Sequence, residues 1–116
     1  MAYFEDLEIW RKAKDVVLNI YHTLEYGHDF GFKDQIQRAA VSIMNNIAEG
    51  SEAGSVQSYI HFLHIAKGSC AEVRSMLYLC SDLNYCTKEQ AEELMSQCKL
   101  ITAGLNKLIS YLEAKK

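Results

Sequence analysis

The sequence predicts an all-α chain folded as an antiparallel up-down-up-down four-helix bundle. Three observations lead there. Four segments carry apolar residues at alternating steps of three and four, the spacing that lines side chains along one face of a helix. Short connections join the segments, which makes consecutive helices antiparallel neighbours. The 116 residues also contain no Pro and only six Gly, so nothing in the chain interrupts long helices. No stretch alternates apolar and polar residues with period two for long enough to propose a sheet. With 49% apolar residues the chain can build a real core, and residues 1–116 read as one domain without repeats or low-complexity tracts.

The first helix is expected to begin near Asp6. Trp10, Ala13, Val17, Ile20 and Leu24 form its stripe, widened by Ile9, Val16 and Tyr21, while Arg11, Lys12, Lys14 and Asp15 face outward. Residues 25–31 hold two Gly and show no period, so they read as a loop. The second helix is expected to start between Phe32 and Asp34, and it has two faces. Ile36, Ala40, Ile43 and Ile47 share one stripe; Gln35, Arg38, Ser42, Asn45 and Glu49 share another that is polar but mostly uncharged. Val41, Met44 and Ala48 widen the apolar side to nearly half the circumference, which predicts more than one packing neighbour. The helix ends within residues 49–54, where Gly50 or Gly54 is suited to the left-handed position after a helix, and Ser55 is placed to cap the next one.

The third helix is the longest, from Val56 to about Leu83, or roughly 40 Å at 1.5 Å per residue. Its stripe is Tyr59, Leu63, Ala66, Cys70, Val73, Leu77 and Cys80. Phe62, Ile65, Met76 and Leu79 form a second apolar surface with Ser69 and Glu72 among them, and such a surface on a bundle helix predicts another subunit. Gly68 and Ser69 offer a place for close helix approach. After the tight connection Asn84-Tyr85-Cys86, Thr87 and Gln90 make a capping box. The fourth helix runs to about Ala114 with the stripe Leu94, Cys98, Ile101, Leu105, Leu108 and Leu112. Its interior Gly104 costs up to about 1 kcal/mol against Ala, which marks a close helix contact. Lys115 and Lys116 complement the negative end of the helix.

The net charge of −3 and pI of about 5.8 weigh against a chain that coats nucleic acid, because phosphate binding needs clustered Lys and Arg. The segment MAYFEDLEIW has neither the basic start nor the apolar centre of a signal peptide, and no run approaches the ~18–20 apolar residues of a membrane span. A cytoplasmic location without membrane contact is expected. Cys70, Cys80, Cys86 and Cys98 show no C-x-x-C spacing, and three of them fall on apolar stripes, the pattern of reduced core thiols.

Chemistry of other kinds finds little support. His61 and His64 stand one helical turn apart, but the Glu-x-x-His pattern of di-metal bundles is missing, so neither a metal site nor a cofactor is expected. Ser42, Ser69 and the cysteines lack a nucleophile elbow or a phosphate loop. Glu49 and Glu72 are the carboxylates expected to be partly buried, and no catalytic residue is assigned. The polar stripe of Gln35, Arg38, Ser42, Asn46 and Glu49 reads as a structural hydrogen-bond network that fixes helix register. Arg11, Lys12 and Lys14, with Trp10 and Tyr3 nearby, read as a solvated face. A nucleic-acid role would draw on these three together with Arg38 and Arg74.

Three segments in order, YFEDLEIWRKA, QIQRAAVSIMNNIAEG and SYIHFLHIAKGSCAEVRSML, resemble the 23S rRNA intervening-sequence protein family, a group of small bacterial four-helix bundles. The pattern F-x-D-L-x-x-W is matched by Phe4, Asp6, Leu7 and Trp10. A second, Q-[IL]-R-R-A-x-x-S-I-x-x-N-I-A-E-G, is matched by Gln35, Ile36, Arg38, Ala39, Ser42, Ile43, Asn46, Ile47, Ala48, Glu49 and Gly50. A third, F-L-x-I-A-x-G-S-x-x-E, is matched by Phe62, Leu63, Ile65, Ala66, Gly68, Ser69 and Glu72. The resemblance implies a ring, commonly a homopentamer, and no enzymatic activity. A related branch, the accessory variability protein of diversity-generating retroelements, binds nucleic acid and a reverse transcriptase through a basic ring. This chain departs from that pattern: Gln37 stands where relatives often carry a second Arg, Glu52 stands where they often carry a basic residue, and the Pro frequent between the first two helices is missing. The expected function is therefore a non-enzymatic, self-associating scaffold or adaptor. The alternative is a nucleic-acid-binding accessory protein linked to ribosomal RNA or a reverse transcriptase.

Overall fold

Each apolar stripe becomes one helix. The computed structural model describes residues 3–116; residues 1 and 2 of the expected domain lie outside the described residues. A single 3-10 turn at Phe4–Asp6 precedes four α-helices: α1 (Glu8–Thr23), α2 (Phe30–Ser51), α3 (Val56–Asp82) and α4 (Lys88–Glu113). Among the described residues, α1 packs on α2, α2 on α3, α3 on α4 and α4 on α1, while the diagonal pairs stay apart. That is the up-down-up-down order, in a body of 45 × 20 × 19 Å. Ile20, Ile36, Ile43, Ile47, Leu63, Leu77, Ile101 and Leu105 are the largest fully buried side chains. At ~1.5–3 kcal/mol for each such burial, this column is the main force behind the fold.

The helix ends depart from expectation where local capping decides them. Leu7 is extended (φ −78°, ψ 127°), so α1 starts at Glu8 rather than near Asp6. The turn before it lays the Phe4 ring edge-on to Trp10, with centroids 5.1 Å apart. α2 begins at Phe30, ahead of the expected Phe32–Asp34, because the Asp29 side chain accepts from the Phe32 N–H at 3.1 Å. Ser55 caps α3 through the Ser58 N–H, and the Thr87–Gln90 capping box opens α4 with both of its hydrogen bonds formed. The α3–α4 turn is tight enough to put Asn84 at φ 61°, a conformation that Asn tolerates better than most residues.

Two stripe positions shift by one residue. Ile60 is buried while Tyr59 is only half-buried, and on α4 Ile109 is buried while Leu108 is half-buried. A helix of 3.6 residues per turn drifts about 20° per heptad against a strict 3.5 repeat, so the core face migrates toward the helix ends. Two of the glycines carry the close contacts. Gly50 lies inside α2 and is buried under α3, so of the two candidate glycines it is Gly54, at φ 87°, that takes the left-handed conformation. Gly104 faces Ile9 of α1 so closely that a Cβ there would lie 2.5 Å from the Ile9 Cγ2. Gly68, by contrast, is exposed with nothing near it, so of the close approach expected at Gly68 and Ser69 only Ser69 meets another helix, α2.

Candidate functional site

The outer face of α2 carries the polar stripe, and the structure divides it in two. One part is tied to α3. Ser42 Oγ and Ser69 Oγ share a hydrogen bond of 2.9 Å, half-buried between the helices. Asn46 Nδ2 backs this pair by donating to the Ser42 carbonyl at 2.8 Å and to Ser42 Oγ at 3.0 Å. Gln35 Nε2 reaches the Glu72 carboxylate at 3.3 Å one level away. These bonds cross the α2–α3 seam at two levels, which ties one helix to a single axial position against the other.

The other part, with Ser42 and Asn46 at its edge, faces an open groove of about 560 Å³ along α2, whose lining includes Gln37, Arg38, Val41 and Glu49. Arg38 Nε donates to Asp34 within its own helix at 2.8 Å, so it does not cross to α3. Glu49 makes no side-chain hydrogen bond or ion pair among the described residues. Glu49 and Glu72 are both exposed, contrary to the partial burial expected, because the stripe lies on the rim of the seam rather than inside it. The middle of the groove, from Val41 to Asn46, carries no charge.

The basic residues do not gather. Arg11 donates to the Glu5 carbonyl at 3.0 Å and lies 3.9 Å from Asp6. Lys12 pairs with Glu8 at 3.1 Å, and Lys14 sits 5.6 Å from the centre of the Trp10 ring. Such exposed pairs contribute little to stability but do lower the local positive potential. Arg74 points elsewhere, into the α3–α4 seam, where its Nε is buried without a partner among the described residues. Arg11, Lys12, Lys14, Arg38 and Arg74 are thus spread over three helices and do not line one cleft.

A second cavity of about 680 Å³ opens at the end of the bundle where the α1–α2 and α3–α4 loops meet. Tyr85 OH donates to Asp29 at 2.6 Å, and the Tyr85 ring meets Phe32 edge-on at 5.3 Å. The hydrogen bond from Tyr85, and then the one from the Phe32 N–H, hold the Asp29 carboxyl below its ordinary value. The same bond, with burial adding to it, pushes the Tyr85 phenol up. Asp29 is engaged in joining two loops and capping a helix, and among the described residues no hydrogen bond links the Thr23 hydroxyl of the cavity wall to His28. His61 and His64 are exposed, and no group of three or more His, Cys, Asp or Glu side chains among the described residues is placed to hold a metal ion. No helix among the described residues is long and apolar enough to cross a membrane.

The partners of the stripe escaped the sequence reading. Polar spacing marks Ser42 and Ser69 separately, but their pairing depends on how far α3 slides along α2. The Asp29–Tyr85 bond between two loops left no periodic signal at all.

Comparison with known proteins places this geometry. No curated protein matches the chain. A solved structure from Bacteroides thetaiotaomicron, a protein of unknown function from the S23 ribosomal protein family, is 28% identical and superimposes with a TM-score of 0.81 over 87% of this chain and 97% of that one. The family model for the 23S rRNA-intervening sequence protein matches residues 5–107, which takes in most of the turn before α1, the whole polar face of α2, the Ser69 and Glu72 partners on α3 and most of α4. The chain belongs to the 23S rRNA-intervening sequence protein family.

Proposed function

We propose that the protein is a non-enzymatic cytoplasmic scaffold or adaptor that works as a closed homo-oligomer, with a pentameric ring as the form that its family implies. The observation that carries this reading is the outer face of α3. Ile65, Leu79 and Leu83 are 39%, 47% and 44% exposed, and they share a stripe with half-buried Phe62 and Met76. Apolar side chains aligned on one face, rather than scattered singly, are the mark of a surface that becomes covered. The uncharged middle of the α2 groove gives the same indication from the neighbouring helix, since a face meant for water normally carries Lys and Glu. A C2 or ring arrangement that buries both faces would leave the paired charges of α1 outside.

Native mass spectrometry of untagged protein, with the 260/280 nm absorbance ratio of the same sample, tests this. A discrete closed oligomer without nucleic acid is the expected result, and its mass gives the ring size. A stable monomer at micromolar concentration would overturn the proposal. An oligomer that retains nucleic acid, released with a steep dependence on salt, would instead favour the accessory role in nucleic-acid binding.

A further inference from the structure

We propose that Cys70 and Cys98 form a modification site: a dithiol buried between α3 and α4 that a peroxide converts to an interhelical disulfide. Four side chains build the site, arranged as two i,i+4 pairs on adjacent helices. Cys70 and Arg74 are one turn apart on α3; Cys98 and Thr102 are one turn apart on α4. Both thiols are fully buried. Cys70 Sγ lies 3.2 Å from the Cys98 carbonyl oxygen, and the Thr102 hydroxyl donates to Cys70 Sγ at 3.4 Å. Cys70 Sγ thus meets Cys98 itself across the seam, and both side chains belong to the core between the two helices. A helical side chain leans toward the N-terminus, so Arg74 lies over the Cys70 turn, and its unpartnered Nε supplies positive charge there.

This surrounding favours ionised sulfur at one position and not at the other. The Cys98 S–H, the Thr102 O–H and the Arg74 guanidinium pull the Cys70 thiol down to about 7 against burial, although its own contact with the Cys98 carbonyl opposes the loss of the proton. The Cys98 thiol is pushed up by its hydrogen bond to Cys70 and by burial. An ionised thiol attacks and a protonated partner resolves, which is the asymmetry that peroxide chemistry needs. The Cys70 sulfur attacks one peroxide oxygen; the S–O bond forms, the O–O bond breaks, and the leaving hydroxide is protonated to water. The Cys98 sulfur then attacks the Cys70 sulfenic acid; the S–S bond forms, the S–O bond breaks, and the Cys98 proton leaves with the hydroxide as a second water. Two thiols lose two electrons and one hydrogen peroxide is reduced. Arg74 is half-exposed while its Nε is buried, so its side chain runs inward from the surface of α3.

The rival pair is Cys80 with half-buried Cys86, across the α3–α4 turn. There burial, and then the neighbouring Cys86 thiol, push Cys80 up to about 12, which disfavours attack by that sulfur. The test is intact-mass analysis and non-reducing peptide mapping of full-length protein treated with hydrogen peroxide, then alkylated. The expected result is a linked Cys70–Cys98 peptide that dithiothreitol reverses, and a melting temperature higher by roughly 10 °C in the linked form, since it closes a 28-residue separation. In Cys98→Ser, which keeps a donor beside Cys70 but cannot close a disulfide, Cys70 is expected to stop at a sulfenic acid that dimedone traps. A map showing only a Cys80–Cys86 link, or only over-oxidised Cys86, overturns the proposal. That wild-type map stands as the deciding measurement even if Cys98→Ser fails to fold.

Discussion

Gly50 and Gly104 stand at opposite seams of the bundle and lack a side chain for different reasons. A Cβ on Gly50 would lie 3.0 Å from Phe62 Cβ and from Tyr59 Cδ1, and 3.3 Å from the Tyr59 carbonyl. A Cβ and a carbonyl move only if α3 moves. A Cβ on Gly104 would press on one branch methyl of Ile9 and on little else. The α2–α3 seam adds the Ser42–Ser69 and Gln35–Glu72 bonds, whereas among the described residues the α1–α4 seam has one exposed amide pair, Asn19 with Gln97 at 3.2 Å. The first seam is fixed by backbone proximity and by register; the second is set by apolar packing and one steric contact. The comparison teaches that helices of equal heptad quality can be held with unequal tolerance.

The largest effect is expected from Gly50→Ala. The gain in helix propensity is outweighed by overpacking against α3, for a net loss of about 2–3 kcal/mol in urea or thermal unfolding. A neutral result would mean that α3 moves freely and would erase the contrast. Gly104→Ala should cost about 1 kcal/mol alone, yet stabilise by up to ~1 kcal/mol in an Ile9→Ala background, where only the propensity gain remains. A double-mutant cycle without that reversal would show that Gly104 is held by something other than Ile9. Ser42→Ala should cost about 1 kcal/mol because it leaves the Ser69 hydroxyl half-buried and unpaired; adding Ser69→Ala should then cost less than it does alone. Asn19→Ala, the counterpart across the molecule, should change stability by less than ~0.5 kcal/mol.

The smallest effect concerns the end of the bundle that both seams share. Asp29 is depressed, so its contribution is present above the ordinary carboxyl value of 3.8 and is lost as pH falls through the folded value. Tyr85 is raised, so its contribution is present below 10.0 and is lost as pH rises through the folded value. Tyr85→Phe should therefore flatten the alkaline limb of the stability profile and weaken the acid limb, while the remaining bond from the Phe32 N–H keeps part of the latter. An unchanged profile in both limbs would show that the loop-to-loop bond does not persist in solution.

Much of this architecture could be read from residue spacing. The four stripes, the Thr87–Gln90 box and the Ser55 cap are local features, and local features follow from a few neighbouring residues. The shift from Tyr59 to Ile60 and from Leu108 to Ile109 did not follow, because it depends on the drift of a straight helix against its neighbours. Gly50 looked like a terminator, since the signal for a helix end and the signal for a close contact are the same residue type. Arg74 looked like one more surface cation until α4 was placed beside it. Glu49 and Glu72 flank the seam, and whether a flanking carboxylate is buried is decided by a few degrees of helix rotation that spacing does not encode.

The two seams also differ in the length of chain that each must close. Ser42 and Ser69 are 27 residues apart, while Asn19 and Gln97 are 78 apart. Loop-closure entropy rises with the logarithm of that separation, so bringing α1 against α4 costs about 1 kcal/mol more than closing the α2–α3 hairpin. The long-range seam has the looser contacts as well. The bundle should therefore assemble outward from the α2–α3 hairpin, dock its first and last helices late, and release them first when it breathes, so that amide hydrogens of α1 and the second half of α4 exchange ahead of those at Ser42 and Ser69.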